Sequence, residues 1–374
     1  MTTKRRGHGE GTIKHRADGL WEARISLPAG KRKSFYGKSR REVQDKLRAA
    51  LRDVDAGLDL TAGRQTVGQF LDRWLADVVT PAKAWKTTAT YADIVRLHLK
   101  PGIGHHHVAK LMPQHVAALL KAKTDAGLSP RMVSHIRAVL RAALNQALRW
   151  GMVSRNVAAL VDPPRQVRSD IQSLTPTEAR DLLNVTDDDR LAALFRVALT
   201  LGLRQGEVLG LMWTDIDLDK RTLKVRRALQ RIDGTLTLKE PKTEKSRRTL
   251  SLPPSLVAAL RTHKVRQLEE RLLAGQRWHD RGLVFPSTIG TPTDARNVIR
   301  SWHRLLAAAG LPRRSFHSTR HAAASLMLAE GVPVKVVQEV LGHSLLSTTA
   351  DIYGHLFPEA FEQAADAMER ALAG

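Results

Sequence analysis

The side chains best equipped for chemistry lie scattered between positions 204 and 353. Arg204 and Glu207 stand in Leu201-Gly202-Leu203-Arg204-Gln205-Gly206-Glu207, at a glycine-bounded turn between helical segments. Lys242 stands in Lys239-Glu240-Pro241-Lys242-Thr243, at the edge of a strand pair, with Lys239 and Lys245 flanking it in the same basic segment. His317 and Arg320 are three apart, which sets them on one helix face. His343 follows Leu341-Gly342, and Tyr353 occurs in Asp351-Ile352-Tyr353-Gly354-His355. The set combines a hydroxyl nucleophile, proton carriers and forked cations, the parts that displacement at an anionic phosphorus centre needs. Taken singly, each has an ordinary reading. Arg204 and Glu207 make a surface ion pair, His343 closes a helix beside Gly342, and Tyr353 is a core aromatic. Only the combination speaks for a site.

Other chemistries find no such set. No Walker loop, Rossmann fingerprint or kinase signature is present, so nucleotide-driven chemistry has no home. His105-His106-His107 invites a metal, but adjacent residues do not converge on one ion and no carboxylate lies nearby. His317 and His321 have the spacing of zinc-protease histidines, yet the glutamate that must follow the first is Ser318. With no cysteine among 374 residues, disulfides and thiolate zinc sites are excluded. No cofactor and no metal are expected. Lys and Arg number 60 against 37 Asp and Glu, a formal charge of +23 that calls for a polyanionic partner. Neither a signal peptide nor a membrane-length apolar stretch is visible, so cytoplasmic residence is expected.

Three regions must position these residues. In the first, residues 1–57, Gly11 to His15, Trp21 to Leu27 and Lys31 to Tyr36 read as strands. Asp18-Gly19 and Ala29-Gly30 supply the turns, and a helix starts at Ser39 with Glu42 in capping-box spacing. Residues 1–52 carry 15 Lys or Arg against 5 Asp or Glu, the footprint of a small DNA-touching module. In the second, residues 66–161, apolar residues at helical spacing (Phe70, Leu71, Trp74, Leu75 and Val78, then Ile136, Val139, Leu140, Ala143 and Leu144) predict an all-α domain. Breaks at Pro81, Pro101-Gly102 and Gly127 to Pro130 divide it into about four helices. Asp162-Pro163-Pro164 opens a linker. The third region, residues 170–374, starts a helix with Thr175 as cap, Pro176 first and Glu178 returning. Strands around Leu223 to Arg227, Leu236 to Leu238 and Arg248 to Leu252 interrupt its helices, with a turn at Asp233-Gly234. The fold class is therefore multidomain: a small three-stranded sheet plus helix, an all-α domain, and a mainly helical α+β domain with a small antiparallel sheet.

The order Leu-Gly-Leu-Arg-Gln-Gly-Glu, a hairpin Lys, His-x-x-Arg-His, Leu-Gly-His and then Tyr resembles the tyrosine recombinases, the phage integrases. Phe316-His317-Ser318-Thr319-Arg320-His321 and Val340-Leu341-Gly342-His343-Ser344 carry the likeness most strongly, although many members have Asp-Leu where Ser318-Thr319 stands. Residues 66–161 are similar to the family's core-binding domain. The N-terminal unit resembles the arm-binding domain of lambda-like integrases. The resemblance implies phosphate binding by Arg204 and Arg320, nucleophilic attack by Tyr353 and general-acid work by Lys242. His317 and His343 would assist proton movement, and Glu207 would buttress Arg204. It implies a site-specific recombinase that acts through a 3′-phosphotyrosine without metal or ATP, integrating or excising phage or mobile-element DNA.

The physics fits that implication. Guanidinium forks match the non-bridging oxygens on which charge builds, and a tyrosine with a pKa near 10 needs a positive pocket and a base. The partners implied are double-stranded DNA at core and arm sites, a homotetramer on two duplexes, and accessory DNA-bending proteins, all in the nucleoid of a bacterial host. Arg131, Arg137, Arg141 and Arg149 are candidate DNA contacts, with a solvated helix face as the alternative. Phe361, Ala364, Ala365, Met368 and Leu372 form a stripe that packs on its own domain or docks on a neighbouring protomer. Two competing readings are a monomeric topoisomerase and a non-catalytic DNA-binding regulator. Loss of Arg204, Arg320 or Tyr353 would mark the regulator, and all three are present.

Overall fold

The computed structural model describes residues 11–26, 32–55, 65–165, 174–240, 247–342 and 368–370. The chain divides into two compact units, Met1–Arg168 and Ser169–Gly374.

The first unit opens with an antiparallel sheet of β1 (Thr12–His15), β2 (Trp21–Ser26) and β3 (Arg32–Gly37), in that spatial order. Its β1–β2 turn places Gly19 at a φ of 79°; the expected turn at Ala29-Gly30 lies outside the described residues. Ala23 and Ile25 of β2 are buried with Val43 and Leu47 of helix α1 (Arg40–Asp55), as strand and helix periodicity require. Ser39 caps α1 through the Glu42 amide at 3.2 Å. In return the Lys38 backbone N–H donates to the Glu42 carboxylate at 2.9 Å, one residue earlier than a strict capping box.

Between residues 66 and 161 the described chain is helical, and helices end at Ala82 and Ile103, where the breaks at Pro81 and Pro101-Gly102 are expected. Helix α2 (Val67–Trp74) continues through a π-helical turn, Leu75–Val79, into α3 (Thr80–Ala82), which contains Pro81. Likewise α4 (Trp85–Ile94) continues through Val95–Leu99 into α5 (Lys100–Ile103), which contains Pro101. A proline inside an α-helix clashes with the carbonyl four residues back. Widening the turn before it relieves that clash: Thr80 N–H donates to Leu75 O and Lys100 N–H to Val95 O, five residues back. Each proline thus sits in the last turn of its helix, just past a π bulge, and the helix ends at Ala82 or Ile103. Helices α6 (Pro113–Asp125) and α7 (Pro130–Arg149) complete a core around Phe70, Leu71, Trp74, Val116, Ile136, Leu140 and Leu144.

The second unit begins with α8 (Pro176–Val185), whose capping box is formed as expected by Thr175 and Glu178. Next come α9 (Ala192–Leu201) and the short α10 (Gln205–Leu209). Strands β4 (Ile216–Asp217), β5 (Thr222–Val225) and β8 (Arg248–Ser251) form one antiparallel sheet. Strands β6 (Ala228–Ile232) and β7 (Thr235–Lys239) form a separate hairpin. Its turn holds Asp233 and Gly234 at φ 46° and 80°, both left-handed as a tight hairpin needs. Helices α11 (Pro254–Ala274), α12 (Ala295–Ala308), α13 (Ser318–Ala329) and α14 (Val334–Leu341) follow. Phe195, Trp302 and Phe316 meet at the centre, with ring centroids 5.7 to 6.2 Å apart. The expected multidomain α and α+β arrangement is borne out.

Candidate active site

Four of the residues singled out from the sequence, Arg204, Glu207, His317 and Arg320, are described; Lys242, His343 and Tyr353 lie outside the described residues. Arg204 occupies the cap position between α9 and α10. It gets there because α9 stops at Gly202, whose φ of 60° is left-handed and suits glycine. Space enforces the same choice: a Cβ on Gly202 would sit 2.5 Å from Leu341 Cδ2 and 3.1 Å from Ala323 Cβ. The turn carrying Arg204 is thus pressed against α13 and the end of α14.

Arg320 projects from the first turn of α13 and is 2% exposed. Its Nη1 donates to Gly202 O at 2.8 Å and its Nη2 to Leu341 O at 2.7 Å. These carbonyls close α9 and α14, where unsatisfied acceptors and the helix dipole favour a cation. Arg204 reaches the same place from outside. Its Nη2 donates to Gly342 O at 3.2 Å, and its Nη1 pairs with Glu207 Oε1 at 2.8 Å. A third arginine, Arg248 at the start of β8, donates from Nε to Val340 O at 2.6 Å and from Nη2 to Glu207 Oε2 at 2.9 Å. Three consecutive carbonyls, Val340, Leu341 and Gly342, are therefore held by three different guanidinium groups.

Glu207 is no surface residue, as the ordinary reading of its pair with Arg204 would have it. Its side chain is 5% exposed, and its carboxylate bridges Arg204 and Arg248. Burial pushes its carboxyl up, but Arg248 and then Arg204 outweigh that effect and hold it below the ordinary carboxylate range. Arg204, at 41% side-chain exposure, keeps one face open to solvent.

His317 is the cap residue of α13 and lies at the open side of the pocket. Its ring meets that of His321 edge-on, with centroids 4.9 Å apart. Burial lowers its pKa first, and the charges of His321, Arg320 and Arg204 lower it further, to about 4. His321 is lowered too, by burial and then by Arg320. At neutral pH the His317 imidazole is thus uncharged, and the neighbouring cations oppose its protonation.

Sequence reasoning missed Arg248. The signal was available: in β8 the residue two along, Leu250, is buried, and alternation puts Arg248 on that inward face. A cation on the inner face of a strand asks for a buried anion, which Glu207 supplies. Of the arginines on α7, Arg131, Arg141 and Arg149 are exposed, whereas Arg137 donates to Val161 O and Ala159 O within its own unit. Among the described residues, no group of three His, Cys, Asp or Glu is arranged to hold a metal ion. No described helix is long and apolar enough to cross a membrane.

The sequence profile of the phage integrase family matches residues 172–360. A tyrosine recombinase XerC-like protein of Caldanaerobacter subterraneus subsp. tengcongensis is 31% identical over 347 residues, covering 88% of this chain and 89% of the relative. Among solved structures, the integrase of the Tn1549 transposon, in complex with a circular intermediate DNA, superposes with a TM-score of 0.69. It is 20% identical and covers 82% of this chain and 99% of its own. A lambda integrase tetramer bound to a Holliday junction superposes with a TM-score of 0.57 at 21% identity, over 89% of this chain and 95% of that one. Both structures share the fold. With the profile matched across the unit that holds the arginine pocket, and the XerC-like relative matched along most of both chains, this chain belongs to the phage integrase family of tyrosine recombinases.

Proposed function

We propose that Arg204 and Arg320 hold the scissile phosphate of a DNA strand and that Tyr353 attacks it. Breaking and rejoining DNA strands is the activity of the family to which the chain belongs. The residue roles rest on one observation: Arg204 and Arg320 converge on Gly342 and Leu341, at the helix end from which the chain runs on to His343 and Tyr353.

In this reading the Tyr353 hydroxyl oxygen bonds to phosphorus while its proton passes to an imidazole, His343 or His317. The bond from phosphorus to the 5′ oxygen breaks, and Lys242 protonates that oxygen as it leaves. The two guanidinium forks stabilise the charge on the non-bridging oxygens. Arg204, at 41% side-chain exposure, presents its fork to solvent from the same cluster. A phosphodiester is exchanged for a phosphotyrosine, so resealing is the same step in reverse and needs no nucleotide.

Residues 1–57 would then bind arm-type DNA and residues 66–161 core DNA, with residues 170–374 carrying the chemistry in a tetramer in the bacterial cytoplasm. The lambda integrase tetramer on a Holliday junction supports that assembly by likeness of fold. The test uses the full-length protein and a pool of nicked duplexes with a randomised core. Covalent adducts are isolated, the attached residue is mapped, and the DNA is sequenced to recover the preferred site. Tyr353→Phe is expected to abolish the adduct; an adduct that persists in this variant overturns the assignment.

A further inference from the structure

The end of α14 is held by one arginine that the proposed chemistry does not use. Arg248 opens β8, where it pairs with Val225, and its side chain is 7% exposed. That burial sets it apart from Arg204, whose side chain is 41% exposed. Its contacts run in three directions: to Glu207 on α10, to Val340 O on α14, and against Gly342. A Cβ on Gly342, whose φ is 68°, would lie 2.9 Å from Arg248 Nη1. Glu207 passes the connection on, since Oε1 takes Arg204 Nη1 at 2.8 Å and Oε2 takes the Arg204 backbone N–H at 3.1 Å. Arg204 Nη2 closes the circuit on Gly342 O.

We infer that Arg248 is a positioning residue for strand cleavage. Through Glu207 it orients the fork of Arg204, and through Val340 it fixes where the chain leaves α14 toward His343. This inference rests on Arg204 being a phosphate ligand. Stability alone does not account for the pair. Desolvating two charges offsets most of their attraction, so an apolar pair of similar size would hold the fold as well. Nor would lysine serve, because a point charge cannot bridge a carboxylate and a carbonyl in one plane as the guanidinium does.

The circuit has an electrostatic signature. Arg248 from β8 and Arg204 at the start of α10 are the cations that act on the Glu207 carboxylate. From β6, Ala228 and Leu229 lie against Gly206 and Gly210 of the same segment, and α14 brings the carbonyls of Val340, Leu341 and Gly342 to the three guanidinium groups. Arg320, His317 and His321 of α13 lie across the pocket. Removing Arg248 leaves Glu207 buried with one cation fewer, which raises its carboxyl. Protonation then releases Arg204, so cleavage by the variant is lost at a higher pH than in the wild type as the pH falls.

The experiment times covalent adduct formation by full-length protein on the duplex recovered from the randomised pool, from acid to neutral pH. Arg248→Met should slow the adduct by about 10²-fold, the loss that follows roughly 1 Å of misplacement in a reacting group. Its duplex affinity should change far less, and its acid limb should move to higher pH. Arg248→Lys should slow cleavage with the acid limb in place. Adding Glu207→Gln to Arg248→Met should remove the displaced limb. A wild-type rate and profile in Arg248→Met overturns the inference, as does a displaced limb that survives Glu207→Gln. If Arg248→Met has melted at the assay temperature, Arg248→Lys decides, and a wild-type rate in that variant overturns it. Tyr353→Phe separates the two levels: an adduct without Tyr353 sinks the site itself, whereas a normal Arg248→Met beside an inert Tyr353→Phe sinks only the positioning.

Discussion

Charge is handled differently by the helical region of residues 66–161 and the unit Ser169–Gly374. In the helical region the ion pairs lie outside: Arg73–Asp77, Arg96–Asp93 and Lys121–Asp125 join side chains that are more than half exposed. Its core is apolar, and among its described residues the one buried polar side chain is Asn156, which donates to Arg141 O and Asn145 Oδ1. In Ser169–Gly374 exposed pairs such as Arg261–Asp219 occur too, but part of the charge turns inward. Arg248 and Glu207 pair at 7% and 5% side-chain exposure, and Arg320 is among the largest fully buried side chains. A scaffold needs burial of apolar surface and little else. Buried charge pairs contribute little net stability; under the proposed function, Arg320 and Arg248 lie in the core to order the phosphate site.

The largest effect expected from this contrast is chemical. Arg320→Ala should lower the rate of adduct formation by at least about 10²- to 10³-fold, the scale for losing one preorganised donor to a charge that develops in the transition state. Arg320→Lys should recover little, since it restores the charge without the fork that spans Gly202 O and Leu341 O. Single-turnover adduct formation at saturating protein reads the effect. A wild-type rate in Arg320→Ala would reduce the buried charge to a structural plug and erase the contrast.

The second effect is one of stability. Leu140, fully buried among the helices α2 to α7, is a packing residue with no polar neighbour to orient. Leu140→Ala should destabilise the helical region by about 2–5 kcal/mol through lost burial and a cavity. Amide hydrogen exchange across residues 66–161 measures this. At low temperature and saturating DNA, the rate of strand cleavage should match the wild type. A slowed chemical step in a fully folded Leu140→Ala protein would show that the region does more than hold DNA.

How much of this was legible beforehand follows the same divide. Apolar periodicity placed Phe70, Trp74, Ile136, Leu140 and Leu144 in one core without further information, because burial is a local pattern read residue by residue. Pro81 and Pro101 marked the helix ends at Ala82 and Ile103, but not the π turns that precede them. In the catalytic unit the motif residues were visible, but their meeting was not. Arg204 and Gly342 are 138 positions apart, and Arg248 and Val340 are 92 apart. No local rule links such pairs; the link is made by Gly202, which lets α9 end against Leu341. Glu207 passed for a surface partner because spacing alone does not report that α10 is covered.

The smallest effect tests the contrast from its other side. Lys121 and Asp125 approach to 2.8 Å, as close as any pair in the catalytic pocket, at 76% and 60% side-chain exposure. Water and salt screen both charges, and two long side chains lose rotamer freedom to meet. Lys121→Ala should therefore change the stability of the helical region by less than about 0.5 kcal/mol, and added salt should shrink even that. Asp125→Ala should cost no more, and the double variant should match the sum of the two within the same margin. The buried pair should behave otherwise, because removing either partner strands the other in a site that water does not reach. If Lys121→Ala instead proved as damaging as Arg248→Met, distance and not burial would govern what an ion pair does in this chain. The inward charges of the catalytic unit would then need no phosphate to account for them.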